Sequence, residues 1–195
     1  ASNNTAIGYN SLIANTTGTQ NTAVGTSAMA VCTTGQDNVA VGAFSMDTLI
    51  SGTDNTACGY NSMTNITTGD DNVAVGESSA QALTSADGNT CIGQDSGGII
   101  TTSPSNTMLG RDTDPSAATS DGHEIAIGAN ATGKGVSTGF MNANGGANYA
   151  GNNSASWSTT SDRRIKKNIE DNNTGLDKIN DIRVRNFEYR LPEEV

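Results

Sequence analysis

The sequence predicts an all-β protein, a trimeric β-solenoid built of 17-residue coils, followed by the small α+β start of a second domain. Three observations lead to this prediction. A short motif recurs at a constant spacing, large apolar residues are scarce, and the charge pattern changes abruptly after residue 160. The expected organisation is a repeat solenoid over residues 1–130, a neck or transition over residues 131–160, and the further domain over residues 161–195.

The repeated motif is Asn-x-x-x-Gly, and an eighth unit, EIAIG at Glu124, is displaced by one residue. A fixed period indicates stacked repeats, and its constancy argues against a low-complexity coil. Seventeen residues are too few for a βαβ unit, whose crossover alone takes about a dozen, but they suit one solenoid coil. Stacking places equal positions above one another, so the repeated asparagines are expected to form a structural ladder: Asn4, Asn21, Asn38, Asn55, Asn72, Asn89 and Asn106.

Each unit is interpreted as a strand, a bend, a second short strand and a turn. The first strand alternates small residues, such as Ala23, with larger apolar ones, such as Val24. One strand face is therefore expected to pack large groups and the other small groups. The glycine that follows, such as Gly25, marks a bend or a close backbone approach. A second apolar position follows at Leu12 and Met29 and their equivalents.

The composition predicts that one solenoid is too thin to be stable alone. Only 34% of the residues are hydrophobic and 4% aromatic, whereas ordinary domains are about 45–50% apolar. A coil of this length encloses little apolar volume. We therefore expect a homotrimer, in which three solenoids lie side by side and bury their second apolar faces.

The charge distribution excludes several partners. Residues 1–110 hold eight acidic residues and no Lys or Arg, whereas residues 161–195 hold eight of each sign. A purely acidic surface argues against nucleic acid, whose phosphates require basic residues, and against anionic lipid. No apolar run approaches the roughly 20 residues of a membrane span, so membrane insertion is not expected. No signal peptide is visible, and the start within a repeat suggests a piece of a longer chain.

Few residues in the repeats suggest ligand chemistry. Asp37, Asp54 and Asp71 recur one position before the asparagines. Clustered oxygen ligands suit calcium, but aspartates at such positions more often form turns, and we expect neither a metal nor a cofactor. Cys58 and Cys91 replace strand residues and are expected to be buried small thiols.

Three further residues stand outside the regular repeat. His123 opens the displaced unit and is expected to be a surface turn residue. Tyr149 and Trp157 lie in the neck, where scarce aromatic residues are expected to pack as plugs. A role in stacking against sugar rings is the alternative for these two aromatic residues.

The repeats resemble two families of fibrous proteins. The stacked Asn-x-Ala-x-Gly pattern is similar to the head repeats of bacterial trimeric autotransporter adhesins. The fuller form, NTAIGYNSL…NTTG, resembles still more closely the repeats in tail fibres of bacteriophages and related viral surface fibres. This resemblance covers roughly residues 4–130 and implies a fibrous trimer, without indicating a particular ligand.

The stretch TTSDRRIKKNI resembles the start of the C-terminal intramolecular chaperone of phage endosialidase tailspikes. The resemblance implies a domain that drives trimer assembly and then cuts itself off between Thr160 and Ser161. The resemblance also implies that Ser161 is the nucleophile, and a serine hydroxyl attacks only after a nearby base takes its proton. Lys166 would be that base, its pKa lowered by burial or neighbouring positive charge, with Asp162 and Arg164 in support.

A structural interpretation of the same stretch stays open. Ser161 and Asp162 before a run of periodic residues also form a helix N-cap, with Ile165 and Ile169 in an apolar stripe. Only 35 residues follow Thr160, fewer than such chaperone domains usually have. The chain is therefore expected to be either an uncut precursor or a family member that keeps this segment as a cap.

Together these features predict a structural and adhesive fibre segment on a virion surface. Its expected partners are two further copies of the chain, other fibre or tail proteins, and a host cell-surface glycan or protein. A bacterial adhesin head on an extracellular surface is the alternative. A glycan-degrading tailspike is less favoured, because glycosidases need a pair of carboxylates at a set distance. At most, single-turnover self-cleavage is expected.

Overall fold

The computed structural model describes residues 1–143, 146–150 and 158–159, and the side chains of residues 1–142. The described residues form one sheet of eleven strands in chain order and contain no helix. The predicted all-β solenoid fold is thereby confirmed. The strands are β1 (Thr5–Ile7), β2 (Thr22–Val24), β3 (Val39–Val41), β4 (Thr56–Cys58), β5 (Val73–Val75), β6 (Thr90–Ile92), β7 (Thr107–Leu109), β8 (Ile125–Ile127), β9 (Gly139–Ala143), β10 (Gly146–Ala150) and β11 (Ser158–Thr159).

Strands β1 to β9 pair in parallel, each with the equivalent strand of the next coil. Ala23 pairs with Ala40 and Ala40 with Ala57, so the register follows the 17-residue period of the sequence. The period lengthens by one residue between β7 and β8, where Thr107 pairs with Ile125. Beyond β9 the pairing becomes antiparallel, so the regular solenoid ends there.

The core lies inside the coils and consists of stacked apolar columns. The middle residue of each three-residue strand points inward, because side chains alternate between the two faces of a strand. Two further apolar columns, from the segment after each glycine bend, complete the interior. The fully buried members of the three columns are Ala23, Ala40, Ala57, Ala74, Cys91, Met108 and Ala126; Met29, Met46 and Met63; and Cys32, Leu49, Ile66, Leu83 and Ile100.

The larger apolar residue of each strand points outward. Ile92 is 39% exposed and Leu109 is 42% exposed in the single chain. In the single chain this outward face is therefore not covered, and its burial against further copies, which the composition predicts, stays a prediction. The inward space takes only the middle residue of each strand, and the alternation then sends its two neighbours to the outside.

The second short strand of each coil is absent from the repeats. Its place is taken by turns in which apolar residues adopt a positive φ, 50° at Leu12, 47° at Met29 and 49° at Met63. Side chains of this size rarely adopt that conformation. Hydrogen bonds to the next coil hold it, as where the Met29 N–H donates to the Ser45 carbonyl at 3.0 Å, and the turn aims the side chain into the core.

The glycine after each strand allows neighbouring coils to approach closely. Gly76 has a φ of 138°, which disfavours any residue with a Cβ atom. A Cβ at this position would lie 2.5 Å from the carbonyl oxygen of Gly93 in the next coil. The predicted bend with a close backbone approach is therefore found at this position.

Candidate functional site

The repeated asparagines form one hydrogen-bonded column through the solenoid. The backbone N–H of each asparagine from Asn21 to Asn106 donates to the side-chain oxygen of the asparagine one coil earlier, at 2.9–3.1 Å. From Asn21 onward these residues are buried. Each asparagine thus ties two coils together in an interior that excludes water.

Asn55 illustrates the full set of contacts in this ladder. Its Nδ2 donates to Asn38 Oδ1 at 3.0 Å and to the Gly69 carbonyl at 2.7 Å. Its Oδ1 accepts from the N–H and the Nδ2 of Asn72, both at 3.0 Å. The amide group is suited to this position because it supplies two donors and an acceptor at once, which explains why asparagine recurs there.

Glu124 takes the place of asparagine in the eighth coil and is fully buried. Its N–H continues the ladder by donating to Asn106 Oδ1 at 3.1 Å. Its carboxylate accepts from the N–H and Oγ of Ser116, at 3.0 and 2.7 Å, and from the Gly135 N–H at 3.2 Å. Through these hydrogen bonds, the side chain of Glu124, which is longer than that of asparagine, connects the extra loop of this coil to the turn that precedes β9.

The three repeated aspartates lie in turns. Asp37, Asp54 and Asp71 are exposed and have φ values of 55–59°. Their N–H groups donate to carbonyls of the preceding coil. His123 is also exposed at a positive φ. Among the residues that the structure describes, no group of three or more His, Cys, Asp or Glu is arranged to hold a metal ion.

The cysteines differ from expectation at one position. Cys32 and Cys91 are buried, whereas Cys58 is exposed. The prediction of a buried Cys58 is wrong because it occupies the outward third position of β4, and Ala57 takes the inward one. Burial, with a further contribution from the carboxylate of Asp114, raises the pKa of the Cys91 thiol to about 12. A thiol with such a pKa is protonated and a poor nucleophile at neutral pH.

The main unpartnered surface is the outward strand face, defined as the first and third positions of strands β1 to β8. Over eight strands at about 4.8 Å spacing it extends for roughly 34 Å. The third position is apolar in every coil, which makes a continuous ridge. Its exposed or half-exposed members are Ile7, Val24, Val41, Cys58, Val75, Ile92, Leu109 and Ile127. Monomeric proteins rarely expose contiguous apolar patches of this kind.

A second surface feature was missed from the sequence. Phe44 and Tyr60 lie in consecutive coils and contact each other edge to face, with ring centroids 6.1 Å apart. Tyr9 occupies the same coil position as Tyr60 and is 74% exposed. The signal available in the sequence was that aromatic residues are scarce, so the coil position of each one could have been considered separately.

The residues expected to carry self-cleavage are Ser161, Asp162, Arg164 and Lys166, and all four lie outside the described residues. Trp157 lies outside them as well. Tyr149 is in β10, and its backbone pairs with Phe140 and Ser158. Phe140 itself is buried beneath the Nζ of Lys134, 4.5 Å from the ring centroid.

In the part of the chain that the structure describes, no pocket opens on the surface. Nor does that part contain a helix with the length and hydrophobicity that a membrane span requires. The candidate functional features are therefore the asparagine ladder, the outward strand face and the exposed Phe44–Tyr60 pair rather than a cleft.

A family model described as the chaperone of endosialidase matches residues 161–195. No curated protein and no solved structure matches the chain. The parallel β-solenoid of about 8 coils, followed by a segment similar to that chaperone, fits a fibre or spike segment.

Proposed function

We propose that the chain is a segment of a trimeric viral fibre or spike that attaches to a host surface. In this proposal the outward strand faces of three copies meet, and residues 161–195 guide their assembly. The observation that carries the proposal is the continuous apolar ridge on that face. Its position in every coil supports an interface along the whole solenoid. The number three, and the location on a virion, rest on the likeness of the repeats and of residues 161–195 to viral fibres.

Assembly before cleavage has a physical advantage for such a fold. A strand that slips by one residue would exchange its inward and outward side chains. A domain that first aligns three chains removes much of that risk. Its later removal would leave a fibre that resists unfolding mainly through a kinetic barrier.

The trimer interface is tested by replacing Ile92 with lysine. An ammonium group on the outward strand face would have to be buried without a partner, so the assembly is expected to dissociate. Light scattering on proteins that also carry Ser161→Ala, so that self-cleavage does not shorten the chain, should give three times the chain mass of 19.9 kDa without the Ile92 substitution and 19.9 kDa for Ile92→Lys. A thiol reagent should label Cys58, on the same face, faster in the variant than in the unmodified protein.

Ile99 provides the matched control for that experiment. It lies in the same coil and is 42% exposed, against 39% for Ile92, but it is not on the outward strand face. Ile99→Lys should therefore leave the mass unchanged. A monomeric unmodified chain, or equal effects of both substitutions, would contradict the proposed interface.

The self-cleavage that we propose is tested by Ser161→Ala. The Ser161 hydroxyl would attack the carbonyl carbon of Thr160, the amine of residue 161 would leave, and water would hydrolyse the resulting ester. Lys166 would accept the hydroxyl proton. On a denaturing gel, the unmodified chain should convert to a shorter product, whereas Ser161→Ala and Lys166→Ala should remain intact.

Lys167→Ala is the control for the lysine variant, since it removes the same charge one residue away and should still be cut. If all four chains migrate alike, self-processing is excluded, and residues 161–195 would remain as a retained cap. That result would not affect the proposed trimer interface, because the interface is tested separately by light scattering.

A further inference from the structure

The exposed aromatic side chains among residues 1–142 lie along one edge of the solenoid, directly after the glycine bend that ends the strands. We call Tyr9, Phe44 and Tyr60 the aromatic edge. They are 74%, 38% and 51% exposed, respectively. The rings therefore contribute little to the core, and the fold does not account for them.

Phe44 in particular is placed against the preference of its backbone. Its φ is 58°, a conformation that bulky residues rarely adopt. The same coil position holds Asn10, Ser27, Asn61 and Ser78, and asparagine in particular tolerates a positive φ. A phenylalanine there is strained without being buried, which suggests that the exposed ring serves an interaction outside the chain.

The Phe44–Tyr60 pair stands on backbone that is hydrogen-bonded between coils. The ring planes meet at 86°, so the edge of one ring covers part of the other and leaves further ring surface open. The Phe44 N–H donates to the Thr26 carbonyl at 2.9 Å. Because the backbone beneath the rings is fixed by coil-to-coil hydrogen bonds, a ligand would lose little free energy in ordering this surface.

The surroundings of the pair are acidic. Glu77 occupies the position of Tyr60 one coil further on, and Asp95 follows in the next coil. No Lys or Arg occurs in residues 1–110. Arg111, further along the same edge, forms an ion pair with Asp112. Glu77 is therefore one coil from Tyr60 and two coils from Phe44, at a strand spacing of about 4.8 Å, and no basic residue of those coils offsets its charge.

This combination selects cationic groups. Aromatic faces attract ammonium and guanidinium ions through the ring quadrupole, and carboxylates bind arginine through charge-assisted hydrogen bonds. The chain itself contains such a contact, between Lys134 and Phe140. Anionic ligands would be repelled by the same carboxylates.

We propose that the aromatic edge binds an arginine- or lysine-rich protein segment, with a cationic side chain held between the Phe44–Tyr60 pair and Glu77. This inference rests on the proposed attachment function and names the chemistry of the partner. The edge is distinct from the copy-to-copy interface proposed above. Aromatic residues occur in only some coils, and Thr26, Glu77 and Gln94 fill the Tyr60 position elsewhere, whereas the third position of the outward strand face is apolar in every coil.

The test uses the full chain and a fluorescent octa-arginine peptide, with binding measured by anisotropy at low and at physiological salt. The double variant Phe44→Ser and Tyr60→Thr uses residues that other coils carry at these positions, so the fold should be retained. We expect its affinity to fall about tenfold, since each exposed cation–π contact is worth about 0.5–1 kcal/mol. Glu77→Gln should weaken binding about threefold by the loss of one near charge.

Asp37→Asn is the matched control for Glu77→Gln, because it also removes one exposed negative charge but lies at the other end of the strand. Asp37→Asn should change the affinity less than about twofold, because at physiological salt the interaction between exposed charges is screened over a distance of about 8 Å. Equal losses for both charge variants, with none for the aromatic variant, would reduce the binding to diffuse electrostatics and overturn the proposal.

Two other results would also overturn it. Binding of a neutral oligosaccharide that depends on Phe44 and Tyr60 would make the edge a sugar site. A change in the mass of the aromatic double variant, measured by light scattering, would make it an interface between copies. Since peptide affinity is measured per chain, failure of the trimer proposal would leave this test valid.

Discussion

Replacement of Asn55 with alanine is expected to lower the free energy of unfolding by about 3–5 kcal/mol, because two buried groups lose their partners at about 1–3 kcal/mol each and a small cavity is left. The two groups are the Gly69 carbonyl and the Asn72 N–H, which Asn55 now satisfies at 2.7 and 3.0 Å. The measurement is urea unfolding followed by far-ultraviolet circular dichroism, at one protein concentration because self-association would shift the midpoint.

Asn65 offers the control for the ladder variant. It belongs to the same coil, but it is exposed, and its Nδ2 donates to the Gln81 carbonyl at the surface. Asn65→Ala should change the unfolding free energy by no more than about 0.5 kcal/mol. If Asn55→Ala were equally mild, the ladder would contribute little to stability, and water entering the coil would have to satisfy the freed groups.

Replacement of Gly76 with alanine is expected to destabilise the solenoid by roughly 4 kcal/mol, from backbone strain of about 1–3 kcal/mol and overpacking of about 1–3 kcal/mol. The φ of 138° is unfavourable for alanine. The new methyl group would also overlap the carbonyl of Gly93, 2.5 Å from its oxygen and 2.6 Å from its carbon. Urea unfolding under the same conditions gives the difference in free energy.

Gly88→Asp separates the two causes in the glycine variant. Gly88 also has a positive φ, 69°, but the nearest atom to an added Cβ is Ser105 Oγ at 3.5 Å. Asp37, Asp54 and Asp71 occupy the equivalent turn in other coils. This substitution should therefore cost less than about 1 kcal/mol. A large loss of stability in Gly88→Asp would mean that backbone strain alone, rather than contact between coils, is the reason why these positions require glycine.

The repeat allowed much of the fold to be predicted. The spacing of Asn38, Asn55 and Asn72 gave the coil length, and the strand register in the structure follows it. The alternation around Ala57 gave the division of the strand residues into a face of small side chains and a face of larger apolar ones. These predictions succeeded because a coil of fixed length leaves one way to stack equal residues.

The conformation of the segment after each glycine was not predictable from residue preferences. Met29 and Met63 adopt a positive φ because the stack, rather than the residue, determines the backbone there. The exposure of Cys58 was also missed, since alternation tells which residues share a face but not which face is enclosed. Phe44 and Tyr60 are brought into contact only by the stacking of consecutive coils, and neither residue lies in a recognisable sequence motif.

The strand register has a consequence for how such a chain changes over generations. Because the backbone of each coil bonds to the coil before and the coil after, any coil of standard length offers its neighbours the same contacts. Gain or loss of a whole coil in the gene would preserve every contact type, whereas gain or loss of a single codon within a strand would reverse inside and outside. The length of the solenoid can therefore evolve in unit steps, while exposed positions such as those of Phe44 and Tyr60 can change residue by residue.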